Sequence, residues 1–550
     1  MKIPSSTLCD YSSSSSREST VRFLLDYAYR ERYGLSAHWE RMRRYYDGTH
    51  DTMNQIAECL GNLELPFTPA QSTDGFINVE SQIEGAIPDF EFSGRGAEDA
   101  AKASQREKIV RYIVERNDME YKNSRNERVL GITGSAVWKV CWDISRQNPL
   151  GDVAVINPKP QQIFPDPASK TVDGCEWIGY TYKLHKAKAV RTFGDDLKRY
   201  GIKSEELFSK RGTLQYDSAI YDEANQTVDV TEWWFRQPED GEMEIALADG
   251  GKHKCAWRAG DIGLCILIND TEVRYVPRYW LSINCDMYPF VIYSKTPDDD
   301  SIWGKSELDG ITHLIDASDR ELAYAQINSA FMSNDIVVAE ENAFSDDSEP
   351  ENRPGAVWKL RPGMMGKVAR LGNIAYSEGA LHSNSSRWRQ IIQETTGNYD
   401  TYNGAEPVRV TTATGIALLN ERARLRIEKK RINRQAGFRR LYELIDRVAL
   451  ENYDDGRVIA IGAAESFIYA YSAITTADGY LPEVDIKINV GDGLRNSKAF
   501  TISALSDLIR TPVNETNYKI VQAFVRLIDI PQSAEICREI EGRFGGGDVM

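Results

Sequence analysis

The sequence has no thiol-redox or zinc motif. Its eight cysteines (Cys9, Cys59, Cys141, Cys175, Cys255, Cys265, Cys285, Cys537) are scattered without CxxC or zinc spacing, and no secretory leader precedes them. They read as reduced core thiols of a cytosolic chain. No apolar run approaches the roughly 18 residues of a membrane span, so a soluble protein without a membrane partner is predicted. GxSxG is absent, and the six histidines have no Cys or Ser motif beside them. No catalytic centre, cofactor or metal site is therefore predicted. Positive charge is short as well: 66 Lys and Arg stand against 82 Asp and Glu, a net charge of -16. Phosphate affinity comes mainly from Lys and Arg releasing counterions, which argues against a general nucleic-acid binder. A surface that DNA slides past without sticking remains compatible with that charge.

What is present is a globular composition, 41% hydrophobic and 27% charged, over 550 residues. That length predicts two to four domains or one elaborated assembly subunit. Residues 1–18, with the run YSSSSSRES, have little to bury and are expected to be flexible. A helical pattern runs from Ser19 to Asp47, interrupted at Tyr33-Gly34, and a further helix is stopped at Pro88 before a short edge strand. Ala97 to Asn117 reads as a helix, and another enters the strand SAVWKVCWD across Gly131 and Gly134. From Val153 to about residue 300 half-buried strands carry Trp177, Tyr180, Trp233 and Trp234 between short helices, an α+β body rather than an alternating parallel sheet. More strands are expected over Arg457–Val490, and helices from about Arg495 to Phe544.

Several local patterns imitate chemistry. DSIWGKS (Asp300–Ser306) matches the end of a phosphate-binding loop, but the opening glycine is replaced by Asp299, whose charge would repel phosphate. Asp298, Asp299 and Asp300 are consecutive and point to different sides, so a solvated turn is the better reading than a shared divalent ion. GDGLRN (491–496) lacks the third glycine of a dinucleotide fingerprint. His38 and His50 have no ligand partner at i+4 and read as an exposed helix histidine and a loop histidine.

The dominant feature lies between Gly304 and Asn452. A helix from Lys305 to Asp335 carries small residues (Ala317, Ser318, Ala323, Ala325, Ser329, Ala330), as expected where identical copies pack closely, and an acidic excess including Glu307, Asp309, Asp316, Asp319 and Glu321. After a Pro/Gly-broken strand-like insert comes a second helix and a loop. Then Ala413–Asn452 forms one helix of about 60 Å at 1.5 Å per residue. Its apolar stripe yields in the middle to Lys430, Arg431 and Arg434, so the middle is not expected to face an apolar core, and Gly437 reads as a bend. Its basic residues, among them Arg422, Arg426, Lys430 and Arg434, either form a solvated face paired with acidic neighbours or contact nucleic-acid backbone.

WGKSELDGITHLIDASDREL after YPF, the short insert with PGAVWKL, TATGI opening an Arg-rich helix, and DIKINVGDG before the last helices occur in a telling order. That order resembles the portal proteins, or head-to-tail connectors, of tailed double-stranded DNA bacteriophages over roughly residues 76–540. The resemblance implies a portal fold with residues 1–18 a flexible N-terminus and 19–303 the wing. Residues 304–335 would be the first stem helix, 336–376 a small β clip, and 377–398 the second stem helix. A tunnel loop at 399–412, the long basic helix with wing return strands at 413–495, and a helical crown at 496–550 would complete it.

It further implies a homo-oligomeric ring of about twelve copies. The ring would stand at one capsid vertex of the virion, after assembly in the host cytoplasm, as a passive non-enzymatic conduit for double-stranded DNA without sequence preference. The expected partners are the terminase large subunit, the head-to-tail adaptor, the major capsid protein and a scaffolding protein. Tunnel-loop contacts would come from Asp400, Asn403, Glu406 and Arg409, and clip docking from Trp358, Lys359, Arg361 and Lys367. The stem lumen would carry Glu307, Asp309, Asp316 and Asp319. Two competing readings are a metal-dependent DNA-processing hydrolase built on Asp298–Asp300 and another viral ring or adaptor protein, although adaptors are usually much shorter.

Overall fold

The computed structural model describes residues 10–50, 73–96, 99–146, 150–203, 226–246, 252–283, 285–333, 336–340, 343–345, 359–371, 378–396, 413–461, 465–475 and 481–488, with Val521. Helices and strands are intermixed along the chain, and all the strand pairs are antiparallel, an α+β arrangement. The first helix, α1 (Ser14–Asp47), runs unbroken through Tyr33-Gly34. It starts inside the serine run, where the Ser13 side chain accepts the Ser16 N–H at 3.2 Å, and ends at Gly48 in the left-handed region, φ 67°. The flexible N-terminus expected up to residue 18 is thus corrected over its described part. Tyr11 and Arg17 are buried against the main sheet, which the sequence-local view of polar serines could not reveal.

That sheet has five strands in the order β10 (Thr271–Val276), β9 (Ile262–Ile268), β6 (Thr227–Arg236), β5 (Trp177–His185), β4 (Ile163–Pro165). Side chains alternate across it. Val228, Val230 and Trp234 of β6 and Leu264 and Ile266 of β9 face Ala189, Phe193 and Leu197 of α5 (Lys186–Arg199). Trp233 and Phe235, with Cys265 and Leu267, face Val21, Leu24, Leu25 and Ala28 of α1. The central strands are therefore buried on both faces, each fully buried large side chain contributing about 1.5–3 kcal/mol.

The second core joins α3 (Asp99–Arg116) and α4 (Met119–Thr133) to a three-stranded sheet, β11 (Phe290–Tyr293), β2 (Ala136–Asp143), β3 (Asp152–Ile156), and to the far half of α8 (Ala413–Asn452). The helix before Pro88 is shorter than expected, α2 (Asp74–Glu80). The strand after it, β1 (Phe90–Gly94), pairs with β16 (Val484–Ile488). Among the described residues five cysteines are free, and burial raises the Cys175 thiol to about 12 and the Cys285 thiol to about 11, as for unreactive core positions. The expected C-terminal helices lie outside the described residues, Val521 excepted.

Candidate functional site

An excursion leaves this body and returns to it. It consists of α6 (Thr312–Ser333), a hairpin of β12 (Ile336–Ala339) and β13 (Val368–Leu371), and α7 (Glu378–Thr396). The hairpin register runs from Ile336↔Leu371 to Ala339↔Val368. At its root Leu308, Ile311, Leu314 and Ile315 pack on Ile392, with Trp388 and Ile391 alongside, and on Met42, Tyr45 and Tyr46 of α1. The helix expected from Lys305 begins only at Thr312. Ser306 and Asp309 instead make a tight turn, Ser306 N–H donating to the Asp309 carboxylate at 2.8 Å and Leu308 N–H to Ser306 Oγ at 3.1 Å.

The glycine of the Gly-Lys-Ser sequence has a packing reason. Gly304 N–H donates to Ser135 Oγ at 2.7 Å, Lys305 N–H to the Thr296 carbonyl at 2.9 Å and Ser306 Oγ–H to the Gly131 carbonyl at 3.0 Å. Gly134, at φ 80° after α4, lies so close that a Cβ there would collide with the Gly304 carbonyl. Asp298, half-buried, faces Lys305 at 3.9 Å, and the exposed Asp300 faces Lys170 at 2.9 Å. Among the described residues there is no group of three or more His, Cys, Asp or Glu able to hold a metal ion.

The four carboxylates expected to face a stem lumen all find partners within the chain. His38 Nε2 meets Asp309 at 2.7 Å, Tyr45 donates to Asp316 at 2.9 Å, His50 Nε2 meets Asp319 at 2.6 Å, and Glu307 pairs with Lys430. Glu307 and Asp319 have side chains only 8% and 0% exposed. Lys430 of α8 and His50, just past the end of α1, compensate them, and partners so distant leave no local signal in the sequence. His50, expected in an open loop, is likewise buried and stacks on Tyr45 at 4.6 Å. Burial, and then the hydrogen bond to Asp316, pushes the Tyr45 hydroxyl up to about 12. Beside it Tyr46 donates to Glu80 at 2.6 Å, and the Arg128 hydrogen bonds hold Glu80 below the usual carboxylate range.

The long helix α8 has the bounds read from its periodicity, and one side of its middle is buried while Lys429 and Ile432 stay exposed. Arg434, 2% exposed, pairs with Glu127 at 2.6 Å and Glu84 at 3.0 Å, donates to the Glu84 and Ala86 carbonyls, and lies 4.8 Å over Phe438. Lys295 shares Glu127 at 2.8 Å. Gly437 lets Tyr293 of β11 approach, since an added Cβ would stand 2.5 Å from the Tyr293 Cβ. Arg422 and Arg426 lie on α8 with side chains outside the described residues, as do Trp358, Asp400, Asn403, Glu406 and Arg409 altogether.

Beyond the hairpin, Arg361-Pro362-Gly363-Met364 forms a turn closed by Met364 N–H to the Arg361 carbonyl at 3.1 Å, with Gly363 at φ 88°. Lys359 and Arg361 are exposed on this knob, and Lys367 pairs with Glu340 at 2.6 Å. Three of the four docking candidates therefore share one projection. Among the described residues no helix is long and apolar enough to cross a membrane.

A family model described as Phage P22-like portal protein matches residues 73–545. No curated protein matches the chain. A match over most of the chain settles its kinship: the chain belongs to the P22-like family of phage portal proteins.

Proposed function

We propose that the chain is one subunit of a ring of about twelve copies, closed by a repeated head-to-tail interface. The ring occupies one capsid vertex and passes double-stranded DNA during packaging and ejection. It is a structural conduit and not an enzyme; the terminase motor supplies the energy. The observation that carries the reading is the excursion α6–hairpin–α7, whose root is gripped by α1 and α8. Such a pair of helices projecting from a body, with a small exposed β knob beyond them, suits a stem that brackets a channel and offers a docking tip.

Lys359, Arg361 and Lys367 of that knob are the proposed contacts for the terminase large subunit and then the head-to-tail adaptor, with Trp358 beside them. The tunnel loop 399–412, with Asp400, Asn403, Glu406 and Arg409, is proposed at the constriction. Net negative charge favours sliding, because each strong phosphate contact would raise the barrier to movement. The capsid end is proposed to meet the major capsid protein and a scaffolding protein.

Native mass measurement with end-on imaging tests this. Twelve copies of 62.1 kDa give about 745 kDa and a ring with a central hole. A stable monomer or dimer at every concentration, together with absence from particles, would refute it.

A further inference from the structure

Helix α1 lies outside the span matched by the portal family, so no role for it comes with that membership. Its 34 residues extend about 51 Å, and it is fastened at both ends and in the middle. At the start, Arg17 makes two hydrogen bonds to Glu272 of β10, at 2.6 and 2.8 Å, and lies 3.8 Å over the Tyr275 ring. Just before the helix, Tyr11 stacks on Phe235 at 3.8 Å. Midway, the Arg32 guanidinium donates to the carbonyls of Pro160, Gln161 and Ile163 beside β4. Toward the end, Trp39 meets Trp303 edge-on at 5.1 Å, and His38 and Tyr45, with His50 just past the helix, hold Asp309, Asp316 and Asp319 of the stem.

Those three carboxylates are spaced by seven and then three residues, along one side of the stem root. One helix therefore contacts the five-stranded sheet at one extremity and the stem at the other. A helix of this length curves only gently unless a proline or inserted group kinks it, so much of a displacement at the sheet is carried along it.

We propose that α1 is a tie rod that sets the position of the stem root relative to the five-stranded sheet, so that a shift of either is felt at the other. Partner binding against the sheet would in this way reach the stem without crossing the second core. The exposed Gly34 at mid-rod gives a handle on stiffness, since a Cβ there meets nothing within 4 Å.

The test is amide hydrogen exchange on the assembled full-length protein, read at residues 308–319. Arg17→Gln releases the far end and Gly34→Pro breaks the middle, leaving the stem contacts untouched. Each is expected to speed exchange at 308–319 by about tenfold or more. Gly34→Ala stiffens the rod and is expected to slow the same amides, by up to about fivefold. Changes confined to α1 and β10, with 308–319 unaltered, overturn the proposal. If Arg17→Gln or Gly34→Pro fails to fold, Gly34→Ala decides alone: slower exchange in α1 without slower exchange in the stem root refutes transmission.

Discussion

Replacing Glu127 by Gln should be among the most damaging single changes in this chain, and more damaging than removing Arg434. Glu127 is fully buried between Lys295 and Arg434, whose side chains are 8% and 2% exposed. Neutralising it leaves two cations facing each other in the interior, with only the partly exposed Glu84 to answer them. Breaking a buried pair in this way costs about 4 kcal/mol, because Glu84 and the Gln82 carbonyl offset only part of the positive charge left in the interior. In Arg434→Met the carboxylate keeps Lys295 at 2.8 Å, and the chief losses are the donors to the Glu84 and Ala86 carbonyls. That change should cost nearer about 2–3 kcal/mol. The double variant removes the surplus charge together with its partner, so its cost should fall short of the sum by about 1–3 kcal/mol. Urea unfolding of the full-length protein at one fixed concentration, followed by circular dichroism, measures all three. A Glu127→Gln variant less destabilised than Arg434→Met, or strict additivity, would refute this account of the cluster.

Gly437→Ala should destabilise by about 1–3 kcal/mol in thermal unfolding despite the better helix propensity of alanine, because the added methyl meets the Tyr293 Cβ at 2.5 Å. Glu80 titrates with a depressed pKa, so the Tyr46–Glu80–Arg128 contact contributes fully above the usual carboxylate range and is lost as pH falls through it. Glu80→Gln should remove about 1 kcal/mol near neutrality, the screened value for a part-exposed pair, and flatten the acid limb of melting temperature against pH. Tyr45 behaves in the opposite sense: its pKa is raised to about 12, so its contribution is intact below the ordinary tyrosine range and disappears as pH rises toward that value. Tyr45→Phe should blunt the alkaline loss of stability seen by ultraviolet titration. Deleting Asn403–Val408 should leave ring assembly intact by native mass measurement while DNA packaging or retention fails; normal packaging would remove the tunnel-loop assignment.

The parts of the fold legible in the sequence are those governed by local periodicity. The limits of α8 follow from an apolar repeat that begins after the Thr411-Thr412 pair and ends near Asn452, and a strand lies at Val228–Phe235 as its alternation implies, although that alternation reads as half-buried and the strand is covered on both faces. What was hidden is governed by partners remote in sequence. Arg434 looks solvated on a helical wheel, and only the arrival of Glu84 and Glu127 makes it an interior residue. His50 looks like a loop residue until Asp319, far along the chain, is placed against it. Ser14–Glu18 looks like a polar tail, yet Arg17 reaches Glu272, 255 residues further along the chain. The acidic residues of the stem were visible as composition, but composition does not say which way a carboxylate turns. The three exposed cations of the knob come together because a Pro-Gly turn folds Lys359–Lys367 back on itself, a signal present in the sequence as Arg361-Pro362-Gly363.

Where Gly134 meets Gly304, main chain presses on main chain with no cushion between. A joint of that kind offers no intermediate sizes: every other residue is too large, so it cannot be adjusted by the small exchanges that tune an ordinary hydrophobic contact. Variation in this lineage should accordingly accumulate around the joint and leave the pair itself untouched, making those two positions a more durable marker of common descent than any of the charged residues nearby.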